Sequence, residues 1–124
     1  MNAYLLVFVG GGLGSVARYA ATSAVGRAAG TTFPWGTLVV NVAGSLVMGL
    51  VIAWLARRSA GDEAVRLLLA TGFLGGFTTF SAFSLDAVTL YERGALSSAA
   101  FYVAASVAAS ILALFGGLWL ARQI

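Results

Sequence analysis

The chain contains no cysteine, no histidine and no lysine, one proline, and only four acidic residues in 124 positions. Without cysteine there is no disulfide framework and no thiolate chemistry. Without either cysteine or histidine, nearly all zinc and transition-metal sites are excluded. The missing histidine also removes the one side chain that titrates near neutrality without help. The acids are Asp62, Glu63, Asp86 and Glu92. Two are neighbours, and no two form a catalytic pair, so the residues do not read as those of an enzyme. A net charge of +3 is carried by seven arginines scattered toward helix ends rather than clustered on one face, which argues against nucleic acid as a partner.

What is abundant is apolar. Hydrophobic residues make up 60% of the chain, charged residues 9%, and the mean hydropathy is +0.97. A soluble domain carries about 25% charged residues, and one this short cannot hide so much apolar surface from water. The expected solvent is lipid, and the expected class is an all-α integral membrane protein forming a single domain over residues 1–124. A span needs roughly 20 apolar residues at about 1.5 Å rise each. Charge-poor runs predict four spans, at about 3–23, 34–56, 67–91 and 96–121. Arg18 lies inside the first and Asp86 near the end of the third. Pro34 suits the first turn of the second helix, where a missing N–H costs nothing. Trp35, Trp54 and Trp119 fall near span ends, as an interfacial aromatic belt places them. The start of the chain lacks the basic segment of a cleavable signal peptide.

The orientation signal is nearly balanced. With four spans both termini share a side, which carries Arg57, Arg58, Arg66 and Arg122. The other side carries Arg27 and Arg93, plus Arg18 if that side chain reaches toward its nearer end. Short-loop arginines and lysines set orientation, so a chain this even can insert both ways up.

The most informative segment is Gly72-Phe73-Leu74-Gly75-Gly76-Phe77-Thr78-Thr79-Phe80-Ser81-Ala82-Phe83-Ser84. Interior glycine costs about 1 kcal/mol in a helix, and β-branched threonine adds a smaller penalty. A break in the third helix is therefore expected near 75–79. At membrane depth, freed backbone groups must face protein or a polar cavity. Carbonyls there can hold a cation, and the start of the resuming half-helix favours an anion. A second reading also stands: Gly72 and Gly76 form a small-xxx-small pair that lets helices approach closely. Broken helices usually occur as inverted pairs. One chain supplies a single break, so two antiparallel copies would supply the pair.

Polar stripes mark two other helices. Thr37, Asn41 and Ser45 recur every fourth residue on the second, and Tyr102, Ser106 and Ser110 on the fourth, a ladder about 12 Å long. Asn41 offers two donors and an acceptor, and it reads either as a site residue or as glue between helices. Phe80 and Phe83 share a face of the resuming half-helix, flanked by Thr79, Ser81 and Ser84. Aromatic rings have a positive edge. Such donors, without a deep fixed cation to trap it, suit passage of a small, strongly hydrated anion.

At these residues the chain resembles the Fluc (CrcB) family of dual-topology fluoride ion channels. The segments that carry the likeness are Gly11-Gly12-Leu13-Gly14-Ser15-Val16-Ala17-Arg18-Tyr19, Gly36-Thr37-Leu38-Val39-Val40-Asn41-Val42-Ala43-Gly44 and the glycine–threonine–phenylalanine segment above, in order along essentially the whole chain. The resemblance implies an antiparallel homodimer in a bacterial plasma membrane, passing fluoride outward to relieve its toxicity. It implies that Asn41, Phe80 and Phe83, with Thr79, meet fluoride, and that Thr37, Tyr102, Ser106 and Ser110 form a polar track. It further implies that backbone carbonyls of Gly75 and Thr78 hold a structural sodium ion at the dimer interface. Arg18 reads as a vestibule residue that attracts anions, as an interface residue that pairs with a carboxylate or carbonyls, or as a side chain reaching to the headgroups, and Asp86 is placed with it at a vestibule or the interface. Ala82 stands where a hydroxyl residue is common in the family, and Asp86 where a glutamate is common. The alternatives are a proton-coupled drug or cation antiporter, which needs a membrane-embedded carboxylate, and a non-transporting assembly subunit.

Overall fold

The computed structural model describes residues 2–58 and 63–124. Asp62 and part of the expected 57–66 connection lie outside the described residues. The described chain is helical, and four helices are long and apolar enough to cross a membrane: α1 (Ala3–Ala29), α2 (Trp35–Ala56), α3 (Glu63–Glu92) and α4 (Leu96–Gln123).

The ends follow local chemistry. Asn2 caps α1, its side-chain oxygen accepting from the Tyr4 N–H at 2.7 Å. α1 runs past Ser23 to Ala29 and stops at Gly30, whose φ of +85° suits glycine. Pro34 stands just before α2 as its cap rather than inside its first turn. Gly94, at φ +79°, makes the tight turn between α3 and α4. Trp35 opens α2, and Trp54, near its other end, lies 4.7 Å beneath the Arg58 guanidinium.

α3 is irregular throughout. It begins as one α-turn (Glu63–Arg66), widens into a π-helix (Leu67–Leu74), returns to α for Gly75–Phe77, and then breaks. Thr78 and Thr79 are extended, with φ/ψ of −85°/160° and −153°/124°. The helix resumes at Phe80–Glu92. The break thus falls on the two threonines, while Gly75 and Gly76 remain helical. The π-helix carries no signal in the sequence.

Two glycines of α3, Gly72 and Gly76, serve close contact with α1. A Cβ on Gly76 would run into the Gly11 carbonyl, and one on Gly72 would come within 3.1 Å of the Gly10 Cα. The two readings of this segment therefore divide between its residues: glycine for approach, threonine for the break. α2 and α4 meet in the same way where Gly49 and Gly117 face each other.

The helices form two tight pairs, α1 with the first half of α3 and α2 with α4, joined through α1 and α2. After the break, the second half of α3 leaves α1 and lies against α4. Its Phe83 and Leu90 form a buried cluster with Tyr102 of α4. Elsewhere large apolar side chains point outward, among them Tyr4, Phe8, Tyr19, Leu112 and Trp119. A multi-pass membrane protein presents such a surface to lipid.

Candidate functional site at the helix break

The break is held from α2. The Thr79 N–H donates to Asn41 Oδ1 at 2.8 Å, and Asn41 Nδ2 donates to the Thr79 carbonyl at 3.0 Å. Three residues on, Gly44 leaves room for the Thr78 side chain, whose Cγ2 occupies the place a Cβ would take. Thr78 Oγ1 donates back to the Leu74 carbonyl at 2.9 Å. Thr79 Oγ1 caps the resuming half-helix by accepting from the Ala82 N–H at 3.1 Å.

These bonds redirect donors. In a continuous helix the Gly75 carbonyl would accept from the Thr79 N–H, and the Thr78 carbonyl from the Ala82 N–H. Both N–H groups are committed elsewhere, to Asn41 Oδ1 and Thr79 Oγ1. The Gly75 and Thr78 carbonyls are thereby released. The Gly76 carbonyl between them accepts from Arg18 Nε at 3.0 Å. Arg18 therefore bonds a carbonyl of its own chain at the end of the first half-helix, where a cation suits the helix dipole.

Beside the break lies a cavity of about 380 Å³, lined from α2 by Asn41, Gly44, Ser45 and Met48, from α3 by Thr78, Thr79, Phe80 and Phe83, and from α4 by Ser106, Val107, Ser110, Ile111 and Leu114. Among the described residues, no charged side chain lines it. Phe80 is 77% exposed and Phe83 8%, with ring centroids 5.4 Å apart and planes tilted by 52°. Ser106 Oγ is buried without a hydrogen-bond partner among the described residues. A buried hydroxyl left unpaired costs free energy, so a polar species in this cavity would find a donor waiting. The flanking hydroxyls are less available: Ser84 Oγ donates to the Phe80 carbonyl at 2.9 Å, and Ser81 Oγ lies 3.4 Å from Thr79 Oγ1.

The cavity brings together Asn41, Thr78, Thr79, Phe80, Phe83, Ser106 and Ser110 of the expected residues. Thr37, Tyr102 and Asp86 lie outside its lining. Tyr102 is fully buried behind Phe83, at 5.2 Å between ring centroids, and donates to Asp86 Oδ2 at 3.0 Å. The Thr37 hydroxyl stands beside the same phenol oxygen. These three form a polar cluster next to the cavity. The ring of Phe33, from the segment before α2, meets Tyr102 edge-on at 5.5 Å and 89°. Ser45 joins the lining, as its four-residue spacing from Asn41 allows, whereas nothing in the sequence singles out Met48 or the apolar residues of α4.

Comparison with known proteins adds a second line of observation. Residues 5–118 match the family described as CrcB-like protein, Camphor Resistance (CrcB). The fluoride-specific ion channel FluC of Chelativorans sp. (strain BNC1) is 62% identical over 120 residues, covering 97% of this chain and 96% of that protein. The protein of the same name from Rhodopseudomonas palustris (strain BisB5) is 56% identical over 121 residues, covering 98% of each. That of Mesorhizobium japonicum is 56% identical over 120 residues, covering 97% and 96%.

Proposed function

Because the chain belongs to the CrcB-like family, and its near-full-length relatives carry the name of fluoride-specific channels, we propose that it is a passive fluoride channel that lets the anion leave the cytoplasm. The observation that carries this reading is the uncharged cavity at the helix break, where a buried, unpartnered Ser106 hydroxyl and the Phe80–Phe83 pair face the same space. A fluoride ion needs donors to replace its water and must then be released. Hydroxyls and the positive edges of rings offer attraction of that graded kind. Asn41, Thr79, Phe80, Phe83, Ser106 and Ser110 are the residues assigned to the path. The Tyr102–Thr37–Asp86 cluster continues the polar track behind Phe83. The antiporter alternative requires a carboxylate in the cavity, and Asp86 is instead engaged by Tyr102 outside it.

The working unit on this reading is an antiparallel homodimer. A single chain supplies one break, Gly75 is exposed, and Phe80 projects away from its own chain. A second copy inserted the other way up would bring two breaks together. The released Gly75 and Thr78 carbonyls fit a structural sodium ion, since hard cations take oxygen ligands and two copies offer four. Such an ion would neutralise the carbonyl dipoles, while Asn41 and Thr79 fix where the carbonyls stand.

Protein reconstituted alone in liposomes should release fluoride passively and electrically, with chloride passing poorly. Equal efflux of chloride, or a requirement for a proton gradient, would refute the channel. In cells fluoride enters as its neutral acid and dissociates inside, so loss of the protein should sensitise them to fluoride most strongly in acid medium.

A further inference from the structure

Asn41 lines the cavity, yet its bonds point to the backbone. A primary amide has two N–H donors and an oxygen with two lone pairs. One donor is spent on the Thr79 carbonyl and one lone pair on the Thr79 N–H. The side chain thus binds both backbone groups of a single extended residue, as a neighbouring strand would. At most one N–H remains for anything in the cavity.

The consequences of that pairing reach further than the amide itself. Drawing the Thr79 N–H to α2 denies it to the Gly75 carbonyl, so the helix cannot close over the break. Holding Thr79 extended aims its hydroxyl at the Ala82 N–H. The resuming half-helix is therefore capped to begin at Phe80, and the turn that carries Phe80 and Phe83 is fixed in direction. Gly44, on the same face of α2, admits Thr78 beside it. We propose that Asn41 is chiefly a positioning residue, which acts through the Thr79 backbone to hold the break in α3 open and to set both the released carbonyls and the phenylalanine pair. The proposal deepens the channel reading and rests on it only for the flux measurement.

One arm of the test leaves Asn41 untouched and removes its partner. Replacing Thr79 by its α-hydroxy analogue changes the N–H to an ester oxygen and keeps the side chain. Fluoride efflux from liposomes should fall at least tenfold, as it should for Asn41→Ala. The two changes combined should be no worse than Asn41→Ala alone, because the ester removes one of the two bonds that this variant already lacks. Full flux through the ester channel, with Asn41→Ala silent, would overturn the proposal and make the amide a direct ligand of the ion. Losses that multiply would overturn it as well. Amide hydrogen exchange supplies a readout independent of conduction. The Thr79 N–H should exchange slowly in the unmodified protein and at least tenfold faster in Asn41→Ala. Rapid exchange in the unmodified protein would refute the pairing. An unmodified protein that conducts no fluoride but protects the Thr79 amide would refute the channel and leave the pairing standing.

Discussion

Phe80 and Phe83 differ sharply in surroundings. One ring is mostly exposed, and the other is wedged between Phe80 and Tyr102. Isoleucine keeps bulk and apolarity but lacks the positive ring edge. Phe80→Ile should abolish or strongly cut fluoride efflux while the protein still elutes as a folded species. Phe83→Ile should do the same with a further loss of thermal stability, because the buried ring also holds the Tyr102 cluster. Native flux in both variants would reduce the rings to packing. Single positions were unevenly legible in the sequence. Four-residue spacing put Asn41 with Ser45, and Ser106 with Ser110, on common faces, and all four line the cavity. It also put Tyr102 in line with the serines, but the packing of Phe83 closes the cavity before that turn. The Tyr102–Asp86 and Arg18–Gly76 bonds join different helices or helix segments, 16 and 58 residues apart. No local pattern encodes partners at such separations.

At the level of the helix, neighbouring glycines on α4 provide a controlled comparison. A Cβ on Gly117 would collide with the Leu46 carbonyl and sit 3.0 Å from the Gly49 Cα, whereas one on Gly116 would meet nothing within 4 Å among the described residues. Gly117→Ala should force α2 and α4 apart at a cost of about 1–3 kcal/mol, the usual range for overpacking. Gly116→Ala should be neutral or stabilising by up to about 1 kcal/mol through helix propensity. Denaturant or thermal unfolding in detergent would read both, and equal effects would mean that the two helices do not meet there. Hydropathy made the four spans legible, because lipid leaves few other solutions. Within α3 it was less informative. Glycines and paired threonines marked the stretch 75–79, and the break falls at its threonine end; which residues of the stretch bend was not legible, since a glycine needed for close approach to α1 looks in sequence like one needed for a bend. The π-helix at Leu67–Leu74 leaves no trace in the sequence, because its opening leucines fit an α-helix as well. The wide turns lie against α1, and π-helical turns frequently accompany functional sites.

For the molecule as a whole, orientation is the open variable that the near-equal arginine distribution governs. A reporter fused to the C-terminus should be found on both sides of the membrane. Lysines added near Arg57 and Arg58 should bias insertion one way. That variant should lose flux alone and recover it when co-expressed with a copy biased oppositely by lysines beside Arg93. Undiminished flux from a uniformly oriented population would refute the antiparallel pair and the shared sodium site, and would leave the residues of the path unaffected. The released carbonyls of Gly75 and Thr78 bear on how such a protein is made. Hydrocarbon cannot satisfy them, and each unsatisfied group in lipid costs several kcal/mol. On the antiparallel reading, a newly inserted chain without a counterpart is a high-energy species whose lifetime depends on how soon an oppositely oriented copy diffuses to it. The fold then imposes a requirement on biogenesis: the two orientations must be produced in nearly equal number, since any surplus of one is left stranded in the bilayer with its polar seam unanswered.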